Sequence, residues 1–105
     1  MKNIAFTDQA LAFLNAQTLI VRQKFLTVIE ELKENGRIAE PFGKVIAPNL
    51  FEIRIRESSG QYRMFYCYFN PEGVLVLSGY VKKTQKAPLR EIRKAQKIRK
   101  SNLGV

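Results

Sequence analysis

Alternating apolar and polar residues mark three strands in the second half of the chain. LFEIRIRE (residues 50–57) places Glu52, Arg54 and Arg56 on one face and apolar side chains on the other. QYRMFYCYF (61–69) is rich in aromatic residues, which favour strands, and VLVLSGYV (74–81) has the nearly continuous apolar character of a strand buried on both faces. Because the turns between them are too short for crossovers, these strands are predicted to form an antiparallel meander.

Helical periodicity covers residues 8–35 and is interrupted once. Thr7 or Asp8 can cap a first helix, and NAQT then breaks its apolar stripe. Thr18 can cap a second helix, which is expected to end at Gly36. KNIAF, before the first helix, is interpreted as a short strand. RIAEPFGKVIAPN, with two prolines and one glycine, is interpreted as a loop that contacts the core through Phe42, Val45 and Ile46.

A last helix is predicted after Pro88, which suits a first helical turn. Its inward residues would be Leu89, Ile92 and Ala95. Its outward residues would be Arg90, Arg93, Lys94, Lys97 and Lys100. The order β-α-α-β-β-β-α predicts one α+β domain over residues 1–105. In it, two N-terminal helices cover one face of an antiparallel sheet and a basic helix ends the chain.

Charge is distributed unevenly along the chain. The 105 residues are 46% apolar, which fits one small globular domain, and the net charge is +9. Residues 1–81 hold nine basic and eight acidic side chains, whereas residues 82–105 hold nine basic and one acidic. Such asymmetry indicates a polyanionic partner, either nucleic acid or an acidic protein segment, and the alternative is a solvated helix face.

The residue types that are missing narrow the chemistry. With one cysteine and no histidine, the chain cannot form an internal disulfide or the usual zinc ligand sets, and it lacks the commonest general base. No cofactor or metal is therefore expected. No apolar run approaches the roughly 20 residues that span a bilayer, and the N-terminus does not resemble a signal peptide, so a cytoplasmic protein is expected.

Cationic side chains gather where adjacent strands are predicted to end. Adjacent strands lie about 4.8 Å apart, so these residues can converge on one phosphate at an exposed sheet surface. They are Arg54, Arg56, Arg63, Lys82, Lys83 and Lys86. Glu52 and Glu57 lie among the arginines, where ion pairing is the expected role. The aromatic residues of the middle strand could stack on bases, but sheet packing is the favoured interpretation for Tyr62, Phe65, Tyr66, Tyr68 and Phe69.

These motifs together resemble the RelE/ParE toxin superfamily, and most closely its HigB-like, phage-derived branch. The resemblance covers nearly the whole chain: the paired N-terminal helices, the strands LFEIRI and YRMFY, the block KKTQKAP and the C-terminal helix. It implies a RelE-like microbial ribonuclease fold and a toxin of a type II toxin–antitoxin system. RelE and HigB members cut messenger RNA, usually on the ribosome and without a metal, through attack of the 2′-hydroxyl on the adjacent phosphate.

The resemblance also implies roles for individual residues. Arg54, Arg63, Lys82 and Lys83 would be catalytic, with Arg63 holding the scissile phosphate. RNA binding would fall to Arg56, Lys86, Arg90, Arg93, Lys94, Lys97 and Lys100. This chain departs from RelE in having Glu52 where a lysine can stand and no tyrosine beyond Tyr80. The general base is therefore open between Tyr80, a lysine with a lowered pKa and no residue at all.

The implied partners are messenger RNA, the ribosome and a cognate antitoxin with a helix-turn-helix DNA-binding domain; no membrane partner is expected. Two other functions stay open at this point. One is inhibition of DNA gyrase in the manner of ParE, without nuclease activity. The other is RNA binding without catalysis.

Overall fold

The computed structural model describes residues 1–83 and 88–105. Its elements in chain order are β1 (Asn3–Phe6), α1 (Asp8–Asn15), α2 (Leu19–Asn35), β2 (Gly43–Ala47), β3 (Leu50–Glu57), β4 (Gly60–Asn70), β5 (Gly73–Lys82) and α3 (Leu89–Leu103). The five strands form one sheet in the order β1-β5-β4-β3-β2. The predicted α+β fold class is confirmed.

The meander of β3, β4 and β5 is antiparallel, as predicted. β5 lies between β4 and β1, and its residues from Gly73 to Ser78 are buried, which confirms its central position. β1 adds one parallel pair, in which Asn3 lies opposite Gly73 and Phe6 opposite Val76. The pairing with β1 ends at Val76, so within the described part of the chain the charged end of β5 pairs with β4 alone.

β2 was not predicted, because only six residues separate Pro41 from Pro48 and the local pattern lacks a strand period. Its partner is β3, to which it pairs antiparallel at the sheet edge. Phe42 is 49% exposed and Val45 is 67% exposed, so the expectation that they pack on the core was wrong. Ile46 is partly buried, against the core beneath α3.

The helix boundaries follow the predicted caps. The Thr7 hydroxyl accepts a hydrogen bond from the Ala10 N–H, and the Thr18 hydroxyl accepts one from the Val21 N–H. Gly36 ends α2 in the left-handed conformation, with φ of 78°. α1 and α2 cover one face of the sheet, as predicted, over a core that includes Val21, Phe25, Leu32, Ile53, Met64 and Val76.

α3 covers part of the opposite face over a second core, which includes Leu50, Phe65, Cys67, Leu77, Ala95 and Ile98. Cys67 is fully buried as a small apolar residue, as expected. Leu89 is 62% exposed, so its predicted inward orientation was wrong: α3 packs through residues beyond its first turn. No helix among the described residues has both the length and the apolar character needed to cross a membrane.

Candidate active site

The sheet face that carries α3 changes from apolar to charged over a few residues. Side chains on one face recur every second residue along a strand, so the cross-strand pairs form successive rows. From the α3 core outwards, the rows are Glu52–Phe65–Ser78, Arg54–Arg63–Tyr80 and Arg56–Gln61–Lys82. The apolar core thus ends at Phe65, and the cations begin in the next row.

A single buried carboxylate joins the first two rows. Glu52 is 4% exposed, and its Oε1 accepts a hydrogen bond from Arg54 Nε at 3.0 Å. The same Oε1 lies 3.7 Å from Arg63 Nε, while Oε2 accepts a hydrogen bond from Tyr80 Oη at 2.9 Å. Like charges directly opposite each other on paired strands repel, and Glu52 offsets the repulsion between the two arginines. The predicted ion pairing of Glu52 is confirmed. The same prediction for Glu57 was wrong: among the described residues Glu57 forms no ion pair and accepts hydrogen bonds from Ser58 and Ser59 instead.

Arg63 lies inside this cluster instead of on the exposed strand surface that the sequence suggested. It is 6% exposed, and its Nη2 donates to Gln61 Oε1 at 2.8 Å while Nη1 donates to the Tyr62 carbonyl at 3.2 Å. Burial lowers the pKa of Arg63, and the negative charge of Glu52 acts in the opposite direction. A guanidinium starts from so high a pKa that it stays charged at neutral pH. The group is therefore a fixed, oriented cation.

Tyr80 connects the cluster to the core beneath α3. Its ring stacks on Phe65, with centroids 5.5 Å apart and an interplanar angle of 23°. Burial raises the pKa of Tyr80, and the neighbouring Glu52 carboxylate raises it further. The hydroxyl stays protonated at neutral pH and donates to Glu52, which makes Tyr80 a poor general base.

A pocket of about 380 Å³ opens in front of the arginines, and we call it the arginine pocket. Its walls are Pro41, Phe42, Arg54, Ile55, Arg56, Gln61 and Arg63. Glu52 does not belong to this wall, so its carboxylate supports the arginines from beneath and leaves the pocket to a ligand. Guanidinium groups bind phosphate oxygens through paired N–H donors, so the arrangement suits a phosphodiester.

Neither Lys82 nor Lys83 belongs to the wall of the arginine pocket. Lys82 ends β5, is half-buried and lies opposite Gln61, so its backbone is two strands, roughly 10 Å, from Arg56. Lys83 follows the strand and is exposed. Lys86 lies outside the described residues. The described structure thus brings the three arginines together and places Lys82 in the outermost row.

α3 presents a row of exposed cations, as predicted, and we call it the basic face of α3. It consists of Arg90, Arg93, Lys94, Lys97 and Lys100. Arg99 differs from them, because its Nη1 donates to the carbonyls of Pro48 and Asn49 at 2.8 Å each. Arg99 therefore ties α3 to the turn between β2 and β3.

Four of the five aromatic residues of β4 that could have stacked on bases pack within the sheet, since only Phe69 is exposed.

Three other residues contribute more to the site than the sequence suggested. The contact of Glu52 with Arg54 could have been inferred from their spacing on one strand face. The contacts of Glu52 with Arg63 and Tyr80 depend on strand register. Gln61 and Phe42 carried no local signal, because only the folded chain places them at the pocket.

Solved structures of a bacterial toxin share this fold. A free-state E. coli toxin RelE with two arginines mutated to alanine matches with a TM-score of 0.68 and 26% identity, over 91% of this chain and 95% of that chain. The isolated E. coli RelE toxin gives 0.59 and 22%, over 91% and 98%. A chain of the intact E. coli RelBE toxin–antitoxin complex gives 0.65 and 24%, over 80% of this chain and 100% of that chain. The domain has the fold of the RelE toxin superfamily, with an arginine-lined pocket on its sheet.

The family is shown by sequence as well. A family model matches residues 12–100, and the chain belongs to the family described as "Phage derived protein Gp49-like (DUF891)". No curated protein matches the chain. The predicted membership of the RelE toxin superfamily is confirmed.

Proposed function

We propose that the protein is the toxin of a type II toxin–antitoxin pair and a HigB-like endoribonuclease that cleaves messenger RNA. One observation carries the proposal: Arg54, Arg56 and Arg63 wall a single pocket on a RelE-type sheet, with the Glu52 carboxylate beneath them. Similarity to E. coli RelE, and to a chain of the E. coli RelBE toxin–antitoxin complex, supports the toxin role and an antitoxin partner.

Catalysis of the proposed reaction depends more on oriented positive charge than on a covalent bond between protein and RNA. The RNA 2′-oxygen attacks the adjacent phosphorus, a bond forms between them, and the bond to the 5′-oxygen breaks. The products are a 2′,3′-cyclic phosphate and a 5′-hydroxyl. The 2′-hydroxyl loses its proton to solvent, and the leaving 5′-oxygen takes one from solvent. Negative charge grows on the phosphoryl oxygens in the transition state, where preorganised cations stabilise it most.

Each residue has a place in this scheme. Arg54 and Arg63 hold the scissile phosphate, and Arg56 binds the neighbouring backbone. Lys82 and Lys83 add positive charge that stabilises the transition state. The basic face of α3, together with Lys86, binds RNA or the ribosome without touching the reacting atoms. The antitoxin carries a helix-turn-helix domain, and the complex acts in the cytoplasm.

Arg54→Ala is the sharpest test, because the Arg54 side chain is 28% exposed and its removal disturbs the core less than removal of Arg63. Arg37→Ala, an exposed arginine away from the pocket, is the matched control. We expect wild type and Arg37→Ala to generate discrete new 5′ ends in translated messages and to stop methionine incorporation in cells, and Arg54→Ala to do neither.

Two results would reject the nuclease. Continued protein synthesis with halted DNA synthesis and loss of gyrase supercoiling would select the ParE-like function. RNA binding without new 5′ ends, in the presence of ribosomes, would select a non-catalytic binding module.

A further inference from the structure

An exposed aromatic ring stands at the border of the arginine pocket. Phe42 is 49% exposed although its backbone is fixed on both sides. Its N–H donates to the Ala39 carbonyl at 3.1 Å, and its carbonyl accepts from the Arg54 N–H at 2.8 Å. The backbone of Arg54, an arginine of the arginine pocket, thus fixes the backbone position of Phe42.

A second pocket, of about 440 Å³, lies on the other side of this ring, and we call it the edge pocket. It is shared between α2 and the edge of β3 that β2 leaves uncovered, since the β2 pairing ends at Ile53. Val28, Ile55 and Phe42 supply apolar walls, and the rim carries Lys24, Thr27, Glu31 and Arg56.

The two pockets are neighbours around one strand edge. Phe42, Ile55 and Arg56 belong to the walls of both. Lys24 Nζ donates to the Arg56 carbonyl at 2.8 Å, which ties α2 to the strand at the junction. A ligand that fills both pockets would have an anionic part next to the arginines and an apolar, flat part next to Phe42.

We infer that the edge pocket binds the nucleobase of the nucleotide whose phosphate occupies the arginine pocket, an inference that rests on the proposed function. A base has apolar faces and a polar edge, which match an apolar wall with a polar rim. Phe42 stacks on one face of the base. Glu31 and Thr27 face its edge, and the Glu31 carboxylate accepts from amino groups of the base. The edge pocket is thus a determinant of sequence preference.

Binding of mononucleotides to the full chain tests this without requiring cleavage. The probes are the four nucleoside 3′-monophosphates, the four nucleosides and inorganic phosphate, followed by amide NMR shifts. We expect inorganic phosphate to shift signals around Arg54 and Arg63 alone. Nucleotides should also shift Thr27, Glu31 and Phe42, and should bind more tightly than phosphate.

Phe42→Ala should weaken nucleotide binding roughly tenfold, the usual order for a lost base-stacking contact. It should weaken phosphate binding far less, because inorganic phosphate has no base to stack on the ring. Phe69→Ala is the matched control: Phe69 is a 41% exposed phenylalanine near the end of β4 that is far from Gln61 and the arginine pocket. Glu31→Gln should change the ranking of the four nucleotides while leaving phosphate binding intact.

The outcomes separate the two proposals. Equal affinity for nucleotides and phosphate, with shifts at the arginines alone, would overturn the base pocket and leave the phosphate site standing. Shifts at the edge pocket without any at the arginines would keep a base site and reject the proposed phosphate site. If Phe42→Ala weakened antitoxin binding and left nucleotide binding unchanged, the edge pocket would be a protein-docking surface and the inference would be wrong.

Discussion

Glu52→Gln is the substitution that most directly tests how the site is held together. It preserves the size of the side chain and removes the charge that lies 3.0 Å from Arg54 Nε and 3.7 Å from Arg63 Nε. Breaking a buried ion pair costs about 3–5 kcal/mol, because the remaining charge stays buried without a partner. The Arg54 side chain is 28% exposed and keeps some hydration, so the lower limit, about 3 kcal/mol, applies here.

Urea unfolding followed by circular dichroism measures this loss. We expect the free energy of unfolding to fall by about 3 kcal/mol, which corresponds to a melting temperature about 12–24 °C lower for a domain of this size. The chain should stay folded at 25 °C, since domains are stable by about 5–15 kcal/mol. Glu72→Gln, an exposed glutamate in the β4–β5 turn, should change stability by less than about 0.5 kcal/mol. Equal, small effects of the two substitutions would refute the role assigned to Glu52.

The same variant distinguishes positioning of the arginines from simple charge balance. Loss of an acid makes the pocket more positive, so RNA binding at fixed salt should be unchanged or tighter. Cleavage at saturating RNA should nevertheless fall at least about tenfold, because the arginines lose their fixed orientation toward the phosphoryl oxygens. Undiminished cleavage by the folded variant would show that Glu52 serves stability alone.

Three further predictions concern other parts of the molecule. Glutamine can replace the four residues of the basic face of α3 that follow Arg90, namely Arg93, Lys94, Lys97 and Lys100. The slope of log RNA affinity against log salt should then fall by up to about 3 units, and cleavage at high protein concentration should persist. Normal RNA binding without cleavage would place α3 in the active site. Gly79→Ala should lower the free energy of unfolding by about 1–3 kcal/mol, and with it the urea midpoint, because its Cβ would lie 2.2 Å from the Phe13 ring. An unchanged midpoint would show that the ring moves freely. Burial raises the pKa of Tyr66 and Tyr80 above the usual 10.0, so the unfolded chain releases these protons first and the unfolding free energy should fall as pH rises past about 10. Urea unfolding at increasing pH measures that fall, which Tyr80→Phe should reduce; stability that stays constant to about pH 11 would contradict it.

Several features of this protein could be predicted because they depend on neighbouring residues in the chain. The caps at Thr7, Thr18 and Gly36 each involve contacts within a few residues, so the local sequence is enough to locate these helix ends. The alternation in β3 assigns Arg54 and Arg56 to one face, and the short turns dictate an antiparallel meander. The outward basic face of α3 follows from the helical period in the same way.

The site itself was decided by the tertiary structure. Arg63 was expected on the surface, and only the register that sets it beside Arg54 and Tyr80, with Glu52 between them, explains why it is buried. β2 has too few residues to show a period, and its pairing with β3 brings Phe42 next to Arg54. Such contacts join residues far apart in sequence, and their energy comes from partners that no local window contains. The sequence therefore determined which cations are available, and cross-strand register determined which of them share a pocket and a counter-charge.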